Sequence, residues 1–210
     1  MDVGGSPSAV ASILNSSLET DIVTSIASGI GATSGLKHTS ARMKILETLL
    51  ILKKTMNENK LDCASQEIIS NDTAIRIVLN NFQNILDDGN LLYGFGHYFF
   101  KGPEKFIDPR ITILCDAIIA QNESIDLLNI LNIAKNICEC GLLKKNGKSV
   151  ILPINSDGYW SVYLYSHFNK LAEIDNFIDL VPIFTTLTRI AGLIAYDFEV
   201  RKVKCTPKIS

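Results

Sequence analysis

The sequence predicts an all-α protein. Apolar residues recur at spacings of three and four along most of its 210 residues, which is the period of an amphipathic helix. Only residues 149–154 have the apolar character of a strand, and that short run meets a proline. The length allows one substantial core or two small lobes that share a cleft. We therefore expect helices throughout, with no sheet beyond a hairpin.

Two helices are predicted in the first half of the chain. Residues 42–56 would bury an apolar face and leave Lys44, Glu47 and Lys53 outside; that face consists of Met43, Leu46, Leu49, Leu50 and Leu52. The second helix should begin at the Asn71-Asp72 cap and end at residues 87–90. Its apolar side would consist of Ile75, Val78, Leu79, Phe82, Ile85 and Leu86.

Four more helices are predicted after residue 110, over residues 111–120, 125–140, 158–172 and 178–200. Gly141 should stop the helix over residues 125–140, and residues 144–148, Lys-Lys-Asn-Gly-Lys, indicate a turn. Pro182 lies near the first turn of the last helix, where a proline is tolerated.

Composition narrows the class of function. The 20 Lys and Arg residues against 22 Asp and Glu leave a net charge of −2, so the chain has no basic footprint for nucleic acid. Five cysteines at irregular spacing do not suggest a disulfide framework. The Cys138-Glu139-Cys140 triplet has no second ligand pair and is expected to be two thiols on a helix, with no metal. With neither a leader nor a membrane span, we expect a cytoplasmic location.

Residues 94–97, Gly-Phe-Gly-His, have the composition of a pocket. Two glycines before a histidine allow close approach of a ligand to the backbone and leave an imidazole at the edge of a turn. Such an imidazole can polarise a substrate carbonyl. Taken alone, the tetrapeptide is also compatible with a surface turn that carries an idle histidine.

Four motifs in order make the chain resemble the citrate synthase family. Residues 24–41 resemble the family's small-residue helix and its Gly-Pro-Leu-His-Gly-Gly-Ala loop. Residues 94–97, with Lys101 and the Asp-Pro-Arg of 108–110, look like its second histidine motif. Residues 155–159, Asn-Ser-Asp-Gly-Tyr, resemble Asn-Val-Asp-Phe-Tyr, and residues 182–192 are similar to a Phe-x-x-x-x-Arg-x-x-Gly frame.

The resemblance implies a two-lobed helical fold. Residues 42–155 would form the small lobe, and residues 1–41 and 156–210 the large lobe. Most of the family's N-terminal helical region has no counterpart here. The layout is therefore similar to that of the compact members, citryl-CoA lyase and the C-terminal module of ATP citrate lyase.

The resemblance also implies three catalytic residues. Asp157 would be the base that removes a proton from the acyl carbon, His38 would donate a hydrogen bond to the thioester oxygen, and His97 would polarise the ketone of the second substrate. A carboxylate base paired with an electrophile is what enolate formation beside a thioester requires. The alternatives are that Asp157 is a helix N-cap and that His38 is a solvated loop residue.

Binding residues follow from the same motifs. Arg110 and Arg189 match the arginines that clamp the dicarboxylate, a task suited to planar bidentate donors. Lys101 matches the residue that meets the phosphates of coenzyme A, with Gly94, Phe95 and Gly96 against its nucleotide. The chain departs from the family where Val3 replaces a substrate-binding histidine, Thr206 replaces a C-terminal arginine, and Thr-Ser replaces Gly-Gly after His38.

Three functions are compatible with these motifs. The first is a transferase that condenses acetyl-CoA with oxaloacetate, and the second is a lyase that cleaves citryl-CoA with the same groups. The third is a non-catalytic relative, favoured by the departures from the family pattern. We also expect a homodimer, because the small residues of segment 18–30 would let helices approach closely.

Overall fold

The structure is a computed structural model that describes residues 7–33, 39–96, 108–168 and 177–203. These residues form eight α-helices, a short 3₁₀ turn and one two-stranded hairpin, which confirms the predicted all-α class. The helices are α1 (Pro7–Ser17), α2 (Ile22–Thr33), α3 (Thr39–Glu58), α4 (Asp72–Asp87), α5 (Pro109–Gln121), α6 (Ile125–Glu139), α7 (Ser156–Phe168) and α8 (Phe177–Val203). The hairpin pairs β1 (Leu143–Lys145) with β2 (Lys148–Val150) in antiparallel register.

The described residues form two compact units. One is drawn from residues 1–40 and 179–210, and the other from residues 41–178. This division assigns residues 156–178 to the same unit as residues 41–155. The lobe boundaries that the family resemblance implies, 42–155 against 1–41 with 156–210, stay a prediction.

The unit of residues 41–178 is built around α6. Nine of its residues are buried and they cover most of its circumference, which is typical of a central helix. The predicted apolar faces of α3 and α4 supply much of the remaining core. The largest fully buried side chains include Phe82, Ile45, Leu46, Leu49, Leu52, Met56, Ile118, Leu127, Ile130, Leu131, Ile133 and Ile137.

Helix termini follow the predicted signals with one correction. The Asn71 side chain accepts hydrogen bonds from the backbone N–H groups of Thr73 and Ala74, so it caps α4 as predicted. Gly141, with φ +68°, follows the end of α6. Pro182, however, is the sixth residue of α8 and therefore lies in its second turn. It has no N–H to donate to the carbonyl of residue 178.

In the unit of residues 1–40 and 179–210, α2 packs on its neighbours through small residues. A Cβ on Gly29 would lie 2.8 Å from Leu193 Cδ1 and 3.1 Å from the Ser8 carbonyl oxygen. Gly29 therefore serves packing within this unit, and the dimer contact predicted for segment 18–30 stays a prediction. Val10, Leu14 and Leu18, at spacings of four, are each more than half exposed.

A buried carboxylate ties α8 to α1. Asp197 is 1% exposed in its side chain, and it accepts hydrogen bonds from Ser16 Oγ at 2.6 Å and from Arg201 Nε at 2.7 Å. These hydrogen bonds, Arg201's first, hold the pKa of Asp197 below its ordinary value although burial opposes the shift. Within the described ranges, none of the helices combines the length and the apolar character that a membrane span needs.

Candidate active site

Three of the predicted site residues, His38, His97 and Lys101, lie outside the described residues, as do Val3 and Thr206. The described ones are the glycine motif at 94–96, Arg110, Asp157 and Arg189. All but Arg189 belong to the unit of residues 41–178. Arg189 is a half-buried residue of α8 in the other unit.

The glycine motif lies beside the segment that leads into α7. Phe95 forms an isolated antiparallel bridge with Ile154. On either side of that bridge the Gly96 N–H donates to the Pro153 carbonyl at 2.7 Å, and the Asn155 N–H donates to the Gly94 carbonyl at 3.0 Å. Two of the sequence motifs, separated by about sixty residues, are therefore joined by backbone hydrogen bonds.

Both glycines of this motif have a backbone that favours glycine. Gly94 has φ +83° and Gly96 has φ +68°, in the left-handed region. A Cβ on Gly94 would lie 3.1 Å from Ile45 Cγ1, and one on Gly96 would lie 3.2 Å from Leu152 Cδ2. Conformation and close packing both explain why these positions are glycine.

The Phe95 side chain belongs to the core. It is 6% exposed, and its ring meets Phe82 edge-on with the centroids 5.5 Å apart. Any contact that residue 95 makes with a ligand would therefore come from its backbone.

The Asp-Pro-Arg motif forms the start of α5. Asp108 is its N-cap and accepts a hydrogen bond from the backbone N–H of Arg110. The guanidinium of Arg110 binds the same carboxylate in a bidentate way, with Nε at 2.8 Å from Oδ1 and Nη2 at 2.6 Å from Oδ2. Burial alone would raise the pKa of Asp108, but hydrogen bonds from Arg110, and also from Ser156, hold that pKa below its ordinary value.

Asp157 lies in the first turn of α7, which begins at Ser156. The Asn155 side chain accepts the hydrogen bond of the Asp157 N–H at 2.9 Å, and this is the interaction that an N-cap residue makes. The alternative that Asp157 is itself the N-cap is therefore wrong. Its carboxylate remains a quarter exposed and bonds to another helix.

That bond is with Arg42, a residue of α3 that the sequence motifs do not single out. Arg42 Nε donates to Asp157 Oδ1 at 2.9 Å. The Arg42 Cζ lies 5.5 Å from the centroid of the Trp160 ring, a cation–π distance. A periodic pattern carries no information about a partner 115 residues away, and Arg42 was missed. Its place four residues after His38 is the one signal that could have found it.

Two of the four sequence motifs, together with Arg42, thus meet at residues 153–157. The glycine motif binds their backbone, Asp108 receives a hydrogen bond from Ser156, and Asp157 faces Arg42. The arrangement places the Asp157 carboxylate, the Arg42 guanidinium and the partly exposed Gly96 in one unit, whereas Gly94 is buried. Such a group can hold an anionic ligand and accept a proton from it.

Comparison with known proteins agrees with the motifs. The family model for the citrate synthase C-terminal domain matches residues 1–204, nearly the whole chain. The chain belongs to the citrate synthase family. No match was found among curated proteins.

Solved structures of family members share the fold. An ATP citrate lyase from Methanothrix soehngenii, in complex with citrate and coenzyme A, is 18% identical with a TM-score of 0.68. An ATP citrate lyase from Methanosaeta concilii, in complex with (3S)-citryl-CoA, is 18% identical with a TM-score of 0.70. Each alignment covers 100% of this chain and 31% of the other.

A third structure, citryl-CoA lyase from Hydrogenobacter thermophilus, is 22% identical with a TM-score of 0.60. That alignment covers 95% of this chain and 63% of the lyase. The chain therefore spans about a third of the two ATP citrate lyases and less than two thirds of the citryl-CoA lyase. At these identities the likeness establishes the fold.

The described residues also include side chains of the kinds that bind metal ions or act as reactive thiols. Within the described ranges, no group of three or more His, Cys, Asp or Glu side chains is placed to hold a metal ion. Cys138 is fully buried in α6, which raises the pKa of its thiol to about 12, whereas Cys140 is exposed. The two thiols of the Cys-x-Cys triplet therefore lie in different environments.

Proposed function

We propose that this chain makes or breaks a carbon–carbon bond between an acyl-CoA, such as acetyl-CoA, and a 2-oxo acid, such as oxaloacetate. The observation that carries the proposal is the contact of two family motifs, the second histidine motif and the motif at residues 155–159, at the start of α7, with the Asp157 carboxylate partly open to solvent. The ligands of the structural relatives, citrate with coenzyme A and citryl-CoA, combine these two substrate types.

In the proposed reaction Asp157 removes a proton from the carbon beside the thioester. That proton is poorly acidic, so the enolate oxygen needs a hydrogen-bond donor, the role assigned to His38. His97 polarises the ketone of the oxo acid, and the enolate carbon then attacks it. In the cleavage direction the same groups act in reverse, and Asp157 returns the proton.

Substrate binding is assigned to four elements. The backbone of residues 94–96 approaches the coenzyme A nucleotide, and Lys101 meets its phosphates. Arg110 and Arg189 bind the carboxylates of the oxo acid. The Asp108 pair supports the role of Arg110, because a guanidinium fixed at the start of α5 needs little further ordering when it binds an anion.

The direction of the reaction decides between two enzymes. Cleavage of citryl-CoA is favoured by the fold that this chain shares with citryl-CoA lyase, and synthesis would use the same three residues, Asp157, His38 and His97, in the opposite direction. Both directions can be assayed on the purified protein: release of free thiol from acetyl-CoA with oxaloacetate, and release of oxaloacetate from citryl-CoA.

A third possibility is a non-catalytic family member that binds coenzyme A without turnover. It is favoured by Val3, by Thr206 and by Thr-Ser after His38. Activity in neither direction, together with coenzyme A binding measured by calorimetry, would support this possibility and contradict the enzymatic proposal.

We propose a homodimer in the cytoplasm as the working form. Val10 and Leu14 of α1, with Leu18 just after its end, form an exposed apolar stripe, and a second copy of the chain would cover it. Cys63, Cys115, Cys138 and Cys140 are free thiols, in keeping with a reducing compartment. Sedimentation at micromolar concentration should give a dimer, and Leu14→Lys should convert it to monomer; a parent that sediments only as monomer contradicts the proposal.

A further inference from the structure

Arg42 and Asp157 form an ion pair that joins the start of α3 to the first turn of α7. The Nε–Oδ1 distance is 2.9 Å, and the two side chains are 17% and 25% exposed. Asp157 is the residue to which the proposed function assigns proton abstraction. The geometry of the ion pair therefore affects how its carboxylate meets the substrate.

The arginine is held from more than one side. Its guanidinium stands 5.5 Å from the centroid of the Trp160 ring, which restricts its orientation. Ser161 Oγ lies 2.8 Å from the carbonyl oxygen of Arg42 and 2.8 Å from that of Asp157, and donates its hydrogen between them. The backbones that carry the two charges are thus tied to one hydroxyl group.

The two oxygens of the Asp157 carboxylate have different surroundings. Oδ1 accepts the Arg42 hydrogen bond, whereas none of the described residues donates a hydrogen bond to Oδ2. A base must offer one oxygen to the proton that it removes. The bond to Oδ1 sets the plane of the carboxylate and leaves Oδ2 as the acceptor.

We propose that Arg42 is the positioning residue of this site, holding Asp157 Oδ1 so that Oδ2 is presented to the acyl carbon. This inference rests on the proposed function. In the step, the C–H bond of the acyl carbon breaks, the proton goes to Oδ2, and the electron pair moves onto the thioester oxygen as the enolate forms. Arg42 keeps its own proton and acts through Asp157.

The competing explanation is that the pair only joins two helices. A partly exposed ion pair often contributes little to stability, and its loss would then affect activity only through the fold. The two explanations differ in one respect. A positioning residue must lose its effect when the residue it positions is already disabled, whereas a structural residue keeps its effect.

The test uses Arg42→Gln, Asp157→Asn and the double variant, with Lys44→Gln as the matched control. Lys44 lies on the same helix and forms an exposed pair with Glu47 at 2.8 Å. The measurement is the rate of hydrogen–deuterium exchange at the methyl group of acetyl-CoA, with KM and kcat separated, and the free energy of unfolding of each variant.

We expect Arg42→Gln to reduce the exchange kcat by roughly 10²-fold, the effect of a small misplacement of a reacting group, with KM unchanged. The Lys44→Gln control should match the parent. In the Asp157→Asn background, Arg42→Gln should cause no further loss. Arg42→Lys, which keeps the charge without the planar Nε donor, should recover only part of the rate.

The experiment distinguishes failure of the positioning role from failure of the proposed function. If the parent exchanges and Arg42→Gln matches Lys44→Gln, or if its loss multiplies with that of Asp157→Asn, the positioning role is overturned and the proposed function stands. If the parent itself shows no exchange with coenzyme A bound, the proposed function fails, and the ion pair is then structural.

Discussion

Replacing Gly94 with alanine should destabilise the protein by roughly 2–5 kcal/mol, which is the sum of two separate costs. The first is conformational, because Gly94 has φ +83° and an L-residue in the left-handed region loses roughly 1–2 kcal/mol. The second is packing. The new Cβ would lie 3.1 Å from Cγ1 of Ile45, which is 2% exposed and has little room to move, and overpacking a core costs roughly 1–3 kcal/mol.

Gly89→Ala is the matched control for this experiment. Gly89 has φ +77°, and a Cβ there would meet no atom within 4 Å, so the variant should show the conformational cost alone. Both variants would be unfolded in urea and compared with the parent by linear extrapolation. Gly94→Ala should be the less stable by roughly 1–3 kcal/mol. Equal stabilities would refute the packing of α3 on the glycine motif.

Two further predictions concern the other unit. Gly29→Ala should destabilise the protein, because the new Cβ would lie 2.8 Å from Leu193 Cδ1. Gly31→Ala, with open space around the new Cβ, should stabilise α2 by roughly 0.5–1 kcal/mol. Thermal unfolding that ranks the two variants in the opposite order contradicts this packing. Asp197→Asn should lower stability at neutral pH. Because Arg201 lowers the pKa of Asp197, the parent should stay more stable than Asp197→Asn down to about pH 4, and the difference in stability should disappear only below that pH. A difference that disappears near neutral pH contradicts the pairing.

Local patterns predicted the helices well because each depends on nearby residues. The spacing of Leu46, Leu49 and Leu52 identified α3, and Asn71 identified the start of α4. Helix α1 was not predicted, because Val10 and Leu14 are exposed and its buried positions include Ser8, Ser12 and Ser16. A helix buried through serines has little hydrophobic periodicity.

The predicted strand over residues 149–154 is only partly confirmed. Strand β2 ends at Val150, because its partner β1 has only three residues. The remainder pairs elsewhere: Ile154 bridges to Phe95, and Pro153 contributes only its carbonyl. The apolar run therefore marked a real pairing segment, but the partner came from a distant motif.

The site was predictable where a motif is contiguous and unpredictable where it depends on tertiary contacts. The proximity of the glycine motif to Asp157 follows the family resemblance. The pairing of Arg42 with Asp157 required the fold, since it depends on how α3 and α7 pack. The Asn155 cap is a local contact, and it was missed because the predicted helix began at residue 158, two residues too late. Hydrophobic spacing describes which face of a helix is buried, and says nothing about which polar side chains meet.

The most direct test of the proposed chemistry is deuterium exchange at the acetyl-CoA methyl group, followed by NMR for the parent and for Asp157→Asn, with oxaloacetate present and absent. If Asp157 is the base, the parent exchanges, and Asp157→Asn loses roughly 10²–10⁴-fold in rate while it still binds coenzyme A. Asparagine preserves the size of the side chain and removes the basic oxygen. Exchange that continues unchanged in Asp157→Asn would contradict the assignment of the base.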